Sequence, residues 1–380
     1  MAYKIARMRL RLGFFFLSIA FLGLGQGLDL GTITYAPPWV ANLSSPYNET
    51  SGLVFISDTI LSINDSGNTP SVHALRASDG AHVHSWTVTN AQNQDWEALT
   101  QSPTHLFIAD VGNNVGNRSS LAIYSIAKAE LNTNDAILLA QKQTFKFADQ
   151  PVSGLQVNAH NYDCEAVFYW RDSLHLFSKN WENLWTRHYV LPLTWQDTLV
   201  ISPVDSFEVN GLVTDAAIDP SDGHFFLLGY KKELSGLYSS FMYRFLNQDD
   251  LFFASDYQRI ELGSTLNLAQ TEGICVSGAA SGYVSGEQIV SVLTIAPKLH
   301  SFNFSNLSAV SNGKNPTIYF HIHTLYIPQE LLSDYKLLDT SGRIATSWVE
   351  GKNHQDLTKL KPGTYYLIGP GFRRTWVKTN

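Results

Sequence analysis

From residue 53 onward the chain is written in short runs of alternating apolar and polar residues, cut by clusters of Gly, Asn, Asp and Pro. A period of two predicts half-buried antiparallel strands joined by tight turns. The first group reads as strands at 53–56, 60–63, 72–75 and 83–88, with turns at Asn64-Asp65-Ser66-Gly67-Asn68 and Ser78-Asp79-Gly80. The plan returns at 98–100, 106–109, 121–126 and 143–147, then at 173–178 and 186–191. Two further groups read as 225–228, 240–245 and 257–262, and as 274–276, 283–288 and 298–304.

One phrase marks each group: an acidic residue opening an apolar strand. Its heads are Glu49, Glu97, Glu165, Asp215 and Glu272, spaced 48, 68, 50 and 57 residues apart. A polar phrase recurring at such intervals signals a repeat architecture, and four strands per unit around a centre predict an all-β fold, a β-propeller. Five blades are expected; six is the alternative if the long stretch from Glu97 to Glu165 conceals another unit. The fifth group supplies three strands, so the lone run at 32–35 is expected to fill its outer place and close the ring.

Composition agrees with strands rather than helices. The 380 residues are 44% hydrophobic, 12% aromatic and 16% charged, too apolar for disorder and poor in the Lys and Glu of helical proteins. A net charge of −7 without any basic stripe argues against a nucleic-acid partner. Lys4, Arg7, Arg9 and Arg11 precede an apolar run at 14–24 and small residues at Gly23, Gly25 and Gly27. That pattern predicts a secretory signal at 1–27, an uncleaved anchor being the alternative. No second such run follows, so the mature chain is expected to have no transmembrane segment. The propeller is expected over 28–304, a linker over 305–316 and a small β-sandwich over 317–380. Cys164 and Cys275 fall in non-adjacent groups and read as two buried thiols.

In a propeller the first strand of each blade lies innermost and the second returns beside it. The start of the first and the end of the second therefore share one face of the ring. Counting 13 to 16 residues on from each head reaches Asp65, Asp110, Lys179 with Asn180, Tyr230 with Lys231, and Glu287. Together with the heads these form the expected channel mouth. Five carboxylates around a narrow opening raise one another's pKa, so something must compensate. A Ca²⁺ held by Glu49, Glu97, Glu165 and Glu272 is one answer. Shared protons are a second, and pairing with Lys179, Lys231 or Arg118 is a third. Otherwise each carboxylate takes backbone amides as a clasp between blades. The loops 64–68 and 110–114 lack the twelve-residue calcium-loop spacing and read as turns. Trp96, Trp181, Trp185 and Tyr162 crowd the same rim, either as a stacking platform or as packing between blades. No zinc spacing, nucleophile elbow or dinucleotide fingerprint is present.

The tail carries Asp339-x-x-Gly342-Arg343, then Leu360-x-Pro362-Gly363-x-Tyr365-x-Leu367 and a closing Lys378, with Asn315-Pro316 ahead of it. It resembles the type A C-terminal sorting domain of the type IX secretion system of Bacteroidetes. Through Asn64 to Asn68, Asp110 to Asn114, Asp163-Cys164-Glu165 and Gln270-Thr271-Glu272-Gly273, the rest of the chain is similar to exported propellers bearing such tails. The resemblance implies passage through the periplasm, partnership with that secretion machinery, and a place outside the cell or on its surface. It implies no particular activity. The expected function is a ligand-binding module gripping a small molecule, glycan or peptide at its acidic mouth. The alternative is a Ca²⁺-dependent hydrolase of esterase, lactonase or phosphoesterase type.

Overall fold

The computed structural model describes residues 27–132, 136–195, 198–247, 250–291, 294–304, 319–321, 324–326, 336–346, 354–369 and 372–378. The expected linker at 305–316 and all but the last residue of the expected signal segment lie outside them.

Five blades, each with a core of four antiparallel strands, follow one another along the chain. Blade one is Thr50–Ile56, Thr59–Asn64, Ser71–Arg76 and His82–Val88; blade two is Trp96–Gln101, His105–Asp110, Leu121–Ala127 and Gln141–Phe147. Blade three is Asp163–Trp170, Ser173–Lys179, Thr186–Pro192 and Pro203–Phe207; blade four is Leu212–Ile218, Phe225–Lys232, Tyr238–Leu246 and Asp256–Ser264. Blade five takes Gln270–Gly278, Ser281–Glu287 and Lys298–Asn303, and borrows its outermost strand from the N-terminus. The five innermost strands stand side by side in a closed circle, the fifth returning to the first. The protein is a five-bladed β-propeller. The stretch from Glu97 to Glu165 holds the outer strands of blade two and its connection to blade three, not a sixth unit.

Alternation explains the packing. Each blade turns one set of side chains toward each neighbour, and five separate apolar clusters fill the five gaps between blades. The gap between blades three and four is packed with phenylalanine, including Phe168, Phe177, Phe207, Phe225 and Phe245. Phe225 and Phe245 stack with ring centres 4.4 Å apart. Burying each such ring contributes about 1.5–3 kcal/mol. Cys164 and Cys275 are buried free thiols.

Ring closure differs from the expectation. The lone N-terminal strand, Asp29–Thr34, runs parallel to Asp256–Ser264 on the outer edge of blade four. The strand that completes blade five is Trp39–Asn42, antiparallel to Lys298–Asn303. Pro37-Pro38 lies between the two strands, and prolines hold the chain extended. The segment is thus carried from one blade to the next, and Pro38 accepts the Ser301 amide at 2.9 Å. Outer edges elsewhere are covered likewise, by Ile137–Leu138 on blade one and Leu199–Ile201 on blade two.

The C-terminal region contains two three-stranded antiparallel sheets. One joins Tyr319–His321, Thr324–Tyr326 and His354–Asp356; the other joins Lys336–Asp339, Gly363–Gly369 and Phe372–Lys378. The Asp339 carboxylate folds the turn after its strand by accepting the amides of Ser341 and Arg343 at 2.8 and 3.0 Å. Among the described residues no helix is long and apolar enough to cross a membrane.

Candidate functional site: the polar mouth of the channel

All five innermost strands break register at the same place. Against its second strand each leaves one residue unpaired: Gly52, Glu97, Glu165, Thr214 and Glu272. Such a bulge re-aims a side chain and recurs beside functional sites. At three of the five the residue is Glu, and Glu97, Glu165 and Glu272 all line one cavity of about 170 Å³. Lys179, Tyr230 and Glu287 reach it from the second strands and Asp65 from the turn just beyond one, joined by Ser51, Asn114, Asn158, Trp181 and Gln270.

Five expected residues, Glu49, Asp110, Asn180, Asp215 and Lys231, stand outside this lining. Glu49 and Asp215 are out of register with the bulge, by three residues before it and one after it. A one-residue slip along a strand moves a side chain to the other face. Asp215 is accordingly buried between blades, its oxygens taking the amides of Ala216 at 2.8 Å and Ile274 at 2.7 Å. It is a clasp joining blades four and five. Glu49 sits exposed in the turn Tyr47–Glu49 and accepts from the Asn68 side chain. Asp110 is bound to Arg118 at 2.8 Å, and the same guanidinium holds the Gly112 carbonyl at 2.7 Å. Arg118 therefore braces its own loop and reaches the mouth only through its charge, which opposes the rise of Asp95. Asn180 is spent on Ser178 and Asn183.

The rim loops are turns, and they position the acids. Asn93 donates to the carbonyls of Asn64 and Asp65 at 2.9 and 2.8 Å, tying the loop of blade one to the start of blade two. The Asp95 amide is held by Asp110 at 3.0 Å. These ties bring Asp65, Asp95 and Glu97 together, with one oxygen from each within 4.8 Å of the others. A Cβ at Gly112 would meet the oxygens of Asp95 and Glu97, so the loop backbone closes directly over the pair. Asp95 was not among the residues expected at the mouth. Its signal was the Asp-x-Glu shared by Asp95-Trp96-Glu97 and Asp163-Cys164-Glu165. In blade three Asp163 is consumed by the Asn113 amide and the Trp181 indole, at 2.7 and 2.8 Å.

Among the described residues Lys179 is the only cationic side chain in the cavity lining. Its ammonium bonds Glu165 at 2.5 Å and lies 5.1 Å from the ring centres of both Trp181 and Tyr230. Those faces thus serve the lysine rather than a stacked ligand. Trp96 is fully buried in the gap between blades one and two. Burial favours the neutral amine, but the surrounding carboxyls, Glu165 foremost, outweigh it and keep Lys179 charged.

The pKa values of the five carboxyls of the cavity are raised too, which for them favours the neutral form. Burial, reinforced by Glu165 and Asp65, pushes Glu97 well above the usual carboxylate range. Burial raises Glu165 as well, against the opposing pull of Lys179. Glu272 is pushed up to about 7 by burial, with Lys179 and the Gln270 amide limiting the rise. Burial and the charges of Glu272 and Asp65 take Glu287 to about 9, and burial with Asp65 and Asp163 takes Asp95 to about 7. Among the described residues no hydrogen bond reaches the Glu97 carboxyl, although it is only 8% exposed.

No family model matches the sequence, and no curated protein matches it. Solved structures with a similar fold include an exo-β-1,3-galactanase of Clostridium thermocellum, 12% identical with a TM-score of 0.46, covering 88% of this chain and 81% of that one. Another is the catalytic domain of a GH62 α-L-arabinofuranosidase of Coprinopsis cinerea, 13% identical with a TM-score of 0.43, covering 71% and 97%. A third is a mannose phosphorylase of Leishmania mexicana, 12% identical with a TM-score of 0.40, covering 72% and 89%. At such distances the chemistry of the mouth has to come from its own residues.

Proposed function

We propose that the propeller is a ligand-binding module whose polar mouth holds a divalent cation on Asp65, Asp95 and Glu97 and takes its ligand against that ion. The observation that carries this is Glu97: a buried carboxyl with no partner, beside two more carboxylates within 4.8 Å. Keeping a buried carboxyl charged is costly, so Glu97 holds its proton until a hard cation with oxygen ligands takes that proton's place. Ca²⁺ suits a set of carboxylate oxygens drawn from two rim loops and a strand bulge. The cavity, about 170 Å³ in all, suits a small polyhydroxylated or carboxylate-bearing ligand. Its oxygens would complete the ion's shell and meet Gln270, Glu287 and Lys179.

The test is thermal unfolding with Ca²⁺ and with chelator. At saturating ion the midpoint should rise by an amount equivalent to about 2–3 kcal/mol. Glu97→Gln should lose that response and be at least as stable as the parent in chelator, because it removes an unpaired buried acid. Glu165→Gln should keep the response, since Glu165 belongs to Lys179. An unchanged midpoint with Ca²⁺ sinks the proposal. A second reading, a metal-assisted hydrolase, is favoured by Glu272, a carboxyl poised near neutral pH in the same cavity. It requires turnover of a model ester or phosphoester that Glu272→Gln abolishes.

Export through the C-terminal region belongs to the same proposal, resting on the resemblance of 317–380 to sorting domains. Deleting those residues should leave a folded propeller in the periplasm; normal export of the truncated chain would refute it.

A further inference from the structure

The late halves of the same five strands enclose a second cavity of about 640 Å³, within the roughly 300–1,000 Å³ typical of small-molecule sites. Its wall is apolar: Leu53 and Phe55 from blade one, Leu99 from blade two, Trp170 from blade three, Ile218 from blade four and Val276 from blade five. Three charged side chains share that lining. Arg171 is paired with Asp250, and Asp219 takes the amide and hydroxyl of Ser221 on one oxygen at 2.9 and 2.6 Å, its other oxygen being buried without a hydrogen-bond partner. The third is Lys128. It opens the turn Lys128–Asn132, where its amide is fixed to the Thr104 carbonyl at 2.9 Å. Among the described residues its half-buried ammonium has neither an ion pair nor a hydrogen bond.

An unpaired cation at the edge of an apolar cavity selects a ligand with two parts. We propose that this second mouth binds a small amphipathic monocarboxylate, its apolar body within the cavity and its carboxylate on Lys128. Burial already lowers the lysine's pKa, and a bound carboxylate would reverse that effect. The apolar body gains from leaving water in proportion to the area it buries.

The experiment is calorimetric titration of the full chain with sodium decanoate below its micellar concentration, with decan-1-ol as the uncharged control. Decanoate should bind at least about tenfold more tightly than the alcohol, a difference of about 1.4 kcal/mol. Lys128→Met should erase that advantage and leave alcohol binding unchanged. Ser277→Trp, a plug in the lining, should abolish both, with Ala279→Trp as a second plug if the first fails to fold. Glu97→Gln should alter neither, which separates this site from the polar mouth. No heat with decanoate, equal binding by acid and alcohol, or binding that survives both plugs would overturn the proposal. So would a dimer in sedimentation that the plugs disperse, because the apolar mouth would then be covered by a second copy.

Discussion

The two mouths of this channel are made from the same five strands, yet they are opposites. At one end, five carboxyls and one lysine share about 170 Å³; at the other, aliphatic and aromatic side chains enclose about 640 Å³. The cause is the shared bulge. It comes early in each innermost strand and turns Glu97, Glu165 and Glu272 inward. Beyond it, pleating resumes with Leu, Phe, Trp, Ile and Val, broken once more in blade five at Ser277. Each mouth also carries one lysine, and their situations differ as much as the walls do. Lys179 neutralises a crowded acid cluster, whereas Lys128 has nothing to neutralise. The repeat therefore supplies the scaffold, and single residues that depart from it supply the chemistry.

Exchanging the two lysines for methionine should break this comparison most sharply. Lys179→Met strands Glu165 and its neighbours without their cation, and breaking a buried pair costs about 3–5 kcal/mol. Lys128→Met removes no partner, so its unfolding midpoint should match the parent's; a comparable loss at both positions would contradict the contrast. A smaller effect is expected at Gly112, whose backbone closes over Asp95 and Glu97. Gly112→Ala should push those carboxyls apart and abolish most of the Ca²⁺-dependent rise in midpoint, without touching decanoate binding.

The smallest effect is with pH. Glu287 and Glu272 have folded pKa values near 9 and 7, above those of an unfolded chain, so the folded state holds their protons more tightly. Stability from these groups is fully present below about pH 4 and is lost as pH rises through those values. The chelated protein should therefore unfold at a lower temperature at pH 9 than at pH 6. Glu287→Gln should recover about 1 kcal/mol, or about 2–4 °C, at the higher pH. A midpoint insensitive to pH would show that the acids are compensated otherwise.

Much of the scaffold was legible because strand periodicity and repeat spacing are local properties of the chain. Reaching Lys179, Tyr230 and Glu287 needed only the rule that a second strand returns beside the first. What escaped was register. Glu49 and Asp215 matched the phrase by composition, but only the pairing of Ser51 with Ile63 and of Val213 with Gly229 shows that Gly52 and Thr214 hold those places. Asp95 escaped for a related reason: as a neighbour of Glu97 it reads as a turn residue until the Asn93 bonds draw Asp65 against it. The apolar mouth left no trace in the pattern, since Leu53 or Ile218 facing a cavity looks the same in sequence as in a packed core.

The borrowed strand of blade five has a kinetic consequence. Trp39 pairs with His300, so the ring cannot close until almost the whole propeller sequence has been synthesised. Contacts this distant along the chain pay their closure entropy late, which makes ring completion the slow step of assembly. Until then blades four and five both present open edges, at Asp256–Ser264 and Lys298–Asn303. The nascent chain is thus most exposed to self-association just before its first residues find its last blade.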